Sequence, residues 1–179
     1  MIKRISVFGS SMPNPGDQAY EEALHLGRLL GRNGYTVLTG GYIGTMQAVS
    51  QGAAESGAHV IGVTCDEIEA YRPVGPNRWV SEEIRLSTLR ERVFTLISEC
   101  DAAIALPGGV GTFLEIITMW NNLLIKALVP RPLLLVGSGW KTTIGTFFES
   151  MNPYLSASQR EFVTFVPEIE SAVTSIKEL

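Results

Sequence analysis

The sequence predicts an α/β fold: a Rossmann-like, doubly wound parallel sheet in a three-layer α/β/α arrangement. Three observations carry that prediction. Short apolar runs alternate with amphipathic stretches of helical period along the chain. Two of those runs end in glycine-rich turns that open into helices, and no repeat, low-complexity tract or linker-like break interrupts the pattern. The 179 residues therefore read as one nucleotide-binding domain, 1–179, with room for a substantial core. Ligands of such sheets lie at the carboxyl ends of the strands, so those turns are where function is sought.

Ile2 to Phe8 reads as the first strand and ends at Gly9-Ser10-Ser11. After a Pro- and Gly-containing loop, Asp17 is a plausible N-cap for a helix from Gln18 to about Asn33. Ala19, Ala23, Leu26 and Leu30 share one face of it, and Gly34 supplies the stop. Thr36 to Leu38 is a second strand, and Thr39-Gly40-Gly41-Tyr42-Ile43-Gly44-Thr45-Met46 turns it into a helix that ends near Ser56. Ala58 to Val63 is a third strand. From Thr64 to about Arg85 the chain reads as irregular, the length expected of a functional loop or lid. Thr88 and Glu91 have the spacing of a capping box, so a helix starts at Leu89, runs to about Glu99 and buries Leu89, Val93, Leu96, Ile97 and Cys100. Ala102 to Leu106 is the fourth strand, followed by a second glycine turn and an apolar helix. Pro132 to Val136 is a fifth strand, a helix spans about Trp140 to Met151, and Phe162 to Val166 is a short sixth strand. Pro167 then opens the last helix.

Bulk composition removes several classes of function. A hydrophobic content of 45% with 18% charged residues suits a globular protein, and a formal net charge of −4 argues against nucleic-acid binding through a broad basic surface. Cys65 and Cys100 are far apart, without metal-ligand spacing or a secretory leader, and are expected as buried thiols in a reducing, cytoplasmic setting. No apolar run approaches the ~20 residues of a membrane span. His25 and His59 are isolated, on a helix surface and at a strand start, and no cluster of His, Cys and carboxylates suggests a metal. Neither a nicotinamide fingerprint nor a P-loop is present, so the expected ligand is a phosphorylated substrate, with no cofactor.

The stretch from Ala102 to Glu115 carries the most chemistry. In Pro107-Gly108-Gly109-Val110-Gly111-Thr112 the glycines Gly108, Gly109 and Gly111 lack Cβ atoms, so backbone N–H groups can close on an anion at a helix N-terminus. Thr112 adds a hydroxyl. The other turn, with Gly40, Gly41, Gly44, Thr45 and Met46, would present a second helix N-terminus at the same edge of the sheet. One such turn often serves only strand-to-helix geometry; two together favour a phosphate site. Glu115 lies in an apolar helix, where an ionised carboxylate is costly unless it is paired or faces a wet cleft. Thr118 and Asn122 continue its polar stripe. Arg92 is its natural cationic partner, because the helix of Arg92 feeds directly into the fourth strand. Ser10 and Ser11 could donate to a ligand at this edge or cap a turn.

Pro107-Gly108-Gly109-Val110-Gly111-Thr112-Phe113-Leu114-Glu115 resembles the Pro-Gly-Gly-x-Gly-Thr-x-x-Glu signature of the LOG family, the cytokinin riboside 5′-monophosphate phosphoribohydrolases formerly labelled lysine decarboxylases. Gly40-Gly41-x-x-Gly44-x-Met46 resembles the family's second glycine motif, and the similarity extends from Val7 to about Val136. The resemblance implies a homodimer that binds an AMP-like nucleoside 5′-monophosphate, its phosphate on the Gly108–Thr112 turn with help from the Gly40–Met46 turn. It implies hydrolysis of the N-glycosidic bond to free base and ribose 5-phosphate. Glu115 would hold the ribose hydroxyls and stabilise positive charge on the sugar, and Arg92 would act near the phosphate or the leaving base. A lysine context for pyridoxal phosphate is absent, against the older label. Three positions depart from the family pattern: Val93 replaces the lysine of an Arg-Lys pair, Val110 a tyrosine, and Thr39 a frequent third glycine. A pocket with one cation fewer suits a different nucleotide or binding without cleavage, and since the resemblance extends to carriers of molybdenum cofactor it implies the alternative, a non-catalytic nucleotide or molybdenum-cofactor carrier on the same fold.

Overall fold

A computed structural model describes residues 3–177. Its elements are β1 (Arg4–Phe8), α1 (Gln18–Arg32), β2 (Thr36–Thr39), α2 (Thr45–Glu55), β3 (Val60–Cys65), α3 (Asp66–Tyr71), β4 (Glu82–Leu86), α4 (Leu89–Ser98), β5 (Ala102–Ala105), α5 (Val110–Leu124), β6 (Leu133–Val136), α6 (Ser138–Ser150), α7 (Ala157–Arg160), β7 (Thr164–Val166) and α8 (Ile169–Lys177). All seven strands pair in parallel, in the order β4-β3-β2-β1-β5-β6-β7. The chain winds outward from β1 to one edge, returns, and winds from β5 to the other. The switch point thus lies between β1 and β5, whose ends are level because Phe8 pairs with Ala105.

Period-2 alternation divides the core. Ile5 and Val7 of β1 join Leu26, Leu30, Val49 and Val173 from α1, α2 and α8 on one face of the sheet. Phe8 joins Leu96, Ile116, Met119 and Ile144 from α4, α5 and α6 on the other. Helices α1 and α2 cross with their backbones in contact: a Cβ at Gly27 would strike the Val49 carbonyl, and one at Gly52 the Leu24 carbonyl. That crossing sets α2, and with it the turn that precedes α2, against β1.

The three-layer class agrees with the sequence reading, while several elements differ. The stretch expected to be irregular from Thr64 to Arg85 holds the end of β3, α3 and most of β4, so the described residues form a sheet of seven strands rather than six. β4 is an edge strand whose exposed Glu82, Glu83 and Arg85 mask its strand character and discourage further pairing. Asp17 makes no side-chain cap on α1; its carboxylate accepts from the Asn14 N–H instead. The Thr88–Glu91 capping box forms as read, but Leu89, expected in the core, is exposed at the first position of α4. The last helix begins at Ile169, after Pro167 rather than at it. The proposed start of β1 at Ile2 lies outside the described residues. Both thiols are free and buried.

Candidate active site

A cavity of about 260 Å³ opens at the switch point, between the loop after β1 (Gly9 to Met12) and the turn after β5 (Gly109 to Thr112). Tyr42, Met46, Ile68, Arg72, Arg92 and Glu115 complete its wall. A larger one, about 480 Å³, lies beyond Leu106 and Pro107 between α1 and α8. It is lined by Glu21, Glu22, Glu168 and Glu170, which repel a phosphate.

Arg92 and Glu115 are the charged floor of the smaller cavity. The capping box starts α4 at a fixed residue, which places Arg92 in the first turn and aims it under β2 and β3. There its Nε donates to the Val63 carbonyl at 2.8 Å and its Nη2 to the Gly40 carbonyl at 3.1 Å. The Tyr42 ring stacks on the guanidinium with its centroid 5.6 Å away. Nη1 is left facing Glu115 Oε1 at 3.6 Å, an ion pair without a hydrogen bond. Glu115 is 7% exposed. Burial pushes its carboxyl up to about 7, and the neighbouring Arg92 opposes that shift without cancelling it. Thr118 and Asn122, expected to extend a polar stripe from Glu115, bond back to the carbonyls of Leu114 and Thr118 on their own helix.

Thr112 sits one helical turn before Glu115, on the same face of α5. Its hydroxyl is buried against Gly108 and has no hydrogen-bond partner. Gly108 is required by that contact, since a Cβ there would overlap the hydroxyl. Gly109 and Gly111 are different: a Cβ at either would meet nothing within 4 Å, so their smoothness keeps the cavity mouth open. The first N–H groups of α5 have no intrahelical acceptor and lie in this wall.

The other turn acts mainly from behind. A Cβ on Gly40 would overlap Arg92 Nη2 and the Met46 sulfur, so Gly40 makes room for the buried guanidinium. Gly44, at φ 73°, lets the chain pass against the backbone of Ser10 and Ser11. Gly41 donates its N–H to Thr39 Oγ1 and gives its carbonyl to Asn77. Thr45, read as a ligand donor, spends both its N–H and its hydroxyl on the Ser10 carbonyl. Tyr42 and Met46 are what this turn contributes to the wall. Ser10 Oγ accepts from the Met12 N–H and shapes the β1 loop, whereas Ser11 Oγ accepts from Arg72 Nη1 at 3.1 Å. Val93, where the resemblance predicts a second cation, is buried in the core.

Sequence reasoning missed Tyr42, Ile68 and Arg72. Tyr42 stood inside a motif already noticed, and an aromatic residue between the glycines of that turn was the available signal. Ile68 and Arg72 came from the stretch read as irregular. Among the described residues no three His, Cys, Asp or Glu side chains gather to hold a metal, and no helix is long and apolar enough to cross a membrane.

Comparison with known proteins places the chain in a family and a fold. The profile of the SLOG cluster4 family matches residues 2–129. The chain is 31% identical over 184 residues to cytokinin riboside 5′-monophosphate phosphoribohydrolase LOG2 of Arabidopsis thaliana, covering 99% of this chain and 84% of that protein. It is 28% identical to the enzyme of the same description from Rhodococcoides fascians, covering 98% of this chain and 89% of that one. Among solved structures it is similar to TM1055, with a TM-score of 0.78, 28% identity and coverage of 99% and 100%. The fold is also that of a molybdenum cofactor binding protein from Rippkaea orientalis, with a TM-score of 0.77, 22% identity and coverage of 99% and 97%.

Proposed function

The chain belongs to the SLOG cluster4 family and to the LOG family of its curated relatives, and on that premise we propose that it hydrolyses the N-glycosidic bond of a purine nucleoside 5′-monophosphate. One observation carries the reading: the buried Arg92–Glu115 pair shares a small cavity with the unpartnered Thr112 hydroxyl at the N-terminus of α5. The phosphate lies on the Gly109–Thr112 turn, where N–H groups and the helix dipole favour an anion. The ribose then lies over Glu115. As the bond to the base lengthens, positive charge develops on the sugar, and a carboxylate already held in a low-dielectric wall stabilises it without reorganising. Arg92 keeps that carboxylate in place and favours its ionised form. The cavity is smaller than the roughly 300–1,000 Å³ that encloses a whole drug-sized ligand, so it takes the sugar phosphate. The base lies at the mouth, against Met12, Ile68 and Val110. The exposed Phe113 and Leu114 on α5 suit the contact of a homodimer.

The test is chromatographic: incubate the purified protein with AMP or N6-isopentenyl-AMP and look for free base and ribose 5-phosphate. Release of both supports the reading. Binding of either nucleotide without release favours the second reading, a carrier of a phosphorylated ligand such as a nucleotide or molybdenum cofactor. The buried Val93, which leaves α4 a single cation in the cavity wall, favours that alternative.

Two variants separate the cradle from the fold. Thr112→Val removes a buried hydroxyl that has no partner, so the free protein gains about 1 kcal/mol, or roughly 2–4 °C in Tm. The same variant weakens AMP more than adenosine in titration calorimetry. A variant that melts lower, or that weakens both ligands equally, would refute the assignment of this hydroxyl to the phosphate. Gly111→Ala adds a methyl group where the protein itself offers no clash. Its Tm does not fall and rises by up to about 2–4 °C, because Ala suits a helix better than Gly, while AMP affinity falls by about tenfold or more as the cavity mouth narrows. Unchanged affinity would move the phosphate elsewhere.

A further inference from the structure

Arg72 follows α3 directly and reaches back to the β1 loop, where its Nη1 donates to Ser11 Oγ. It lines the same cavity as Thr112, Arg92 and Glu115. Its electrostatic situation is unlike that of Arg85, further along the same part of the chain. Arg85, on β4, is paired with Asp66 and Glu69 at 2.8 Å and faces solvent. Among the described residues Arg72 has no carboxylate within ion-pair distance, and its Nε is buried without an acceptor.

An unpaired guanidinium with a buried, unsatisfied N–H is costly to keep, unlike one on an open surface. The bond to Ser11 occupies Nη1, on the far side of the guanidinium from Nε. It therefore leaves the Nε–Nη2 edge, the side-on fork whose geometry matches a carboxylate or phosphate. Ser11, acting as acceptor for Nη1, keeps its own hydroxyl proton for another partner. Two residues that line the cavity, Arg72 and Thr112, thus each carry a buried donor without a partner, Nε and Oγ1, and they come from segments 40 residues apart in sequence. Arg92 is less available to an anion, since its Nε and Nη2 donate to two main-chain carbonyls and its Nη1 faces the Glu115 carboxyl.

We propose that Arg72 is the anion-recognition residue of this cavity, its side-on fork holding a phosphomonoester dianion together with the Thr112 hydroxyl and the N-terminus of α5. The inference rests on the reading of the site as one for a sugar phosphate, and adds to it the residue that selects phosphorylated over unphosphorylated ligands. It also gives the α3 segment a role: docking that helix under the Arg85 pairs carries Arg72 to the cavity.

Titration calorimetry of the whole chain with AMP and with adenosine, for the parent protein and for Arg72→Met and Arg72→Lys, tests this. Loss of one charge-assisted bidentate contact predicts AMP affinity about tenfold or more lower in Arg72→Met, with adenosine changed by less than about twofold. Arg72→Lys, which keeps the charge without the fork, falls between. Unchanged AMP affinity in both variants overturns the role of Arg72 and leaves the phosphoribohydrolase reading standing. Equal weakening of AMP and adenosine also overturns it, since Arg72 would then only shape the wall. A parent protein that binds AMP no better than adenosine overturns both the inference and the reading beneath it. Should Arg72→Met fail to fold, the AMP-to-adenosine ratio of Arg72→Lys decides in the same way.

Discussion

Glu115→Gln is expected to lower the rate of base release by about 10²–10³-fold, the usual cost of removing one preorganised electrostatic group from a reacting centre. Nucleotide binding should stay within about twofold, because the phosphate contacts lie a helical turn away and the amide fills the same space. The same variant carries a second signature, in stability. In the folded protein the Glu115 carboxyl is pushed up from its ordinary 4.5 to about 7 by burial. The unfolded chain therefore gives up this proton near pH 4.5 while the folded chain holds it to about pH 7. In that window the native state binds more protons, so stability falls as pH rises, by roughly 3 kcal/mol in all for this group. Glutamine cannot ionise, and the decline between those pH values should flatten in Glu115→Gln. Chemical denaturation at pH 4.5, 6 and 8 measures it. A parallel decline in parent and variant would mean that Glu115 is ionised throughout. Equal loss of binding and hydrolysis would make it structural.

That pair of signatures also marks what was legible beforehand. The Pro107–Glu115 stretch could be read because its chemistry is local: a strand, a turn without side chains, a hydroxyl and a carboxylate three residues apart on a helix. The capping box of Thr88 and Glu91 is local in the same way, and it set the start of α4 correctly. The setting of Arg92 was not local. Its acceptors, the carbonyls of Gly40 and Val63, are 52 and 29 residues away, and main-chain carbonyls carry no sequence signal. The glycine turn before α2 has the pattern of a second phosphate cradle, and that pattern is legible. That the turn also makes room for Arg92 and for the β1 loop is not legible, because it depends on which backbones approach it. Arg72 was invisible for a third reason. α3 has six residues, three of them acidic and none buried, so neither periodicity nor hydrophobicity separates it from a loop.

Arg92→Met is the variant expected to damage both stability and activity, and the physics decides how the damage divides. Two effects compete. The first is loss of the ion pair with Glu115, 3.6 Å away and without a hydrogen bond. The second is loss of the donors to the Val63 and Gly40 carbonyls, at 2.8 and 3.1 Å in a buried setting. Leaving an unpartnered buried charge would cost about 3–5 kcal/mol, but Glu115 escapes that penalty by taking up a proton, which burial already favours near pH 7. Carbonyls have no such escape, and each orphaned one costs roughly 1–3 kcal/mol. The carbonyl term therefore wins at pH 6, and Arg92→Met should lose about 2–6 kcal/mol there, whether position 115 is Glu or Gln. Activity disappears for the other reason: without the neighbouring cation the Glu115 carboxyl rises further and is neutral at pH 7, so no anion faces the developing charge on the sugar. Denaturation of the two single variants and the double variant at pH 6 and pH 8 closes the cycle. A coupling near zero at pH 6 that grows at pH 8 is the expected result. If Glu115→Gln instead rescues most of the loss at pH 6, the ion pair holds Arg92 in place, and the carboxylate is charged in the resting protein.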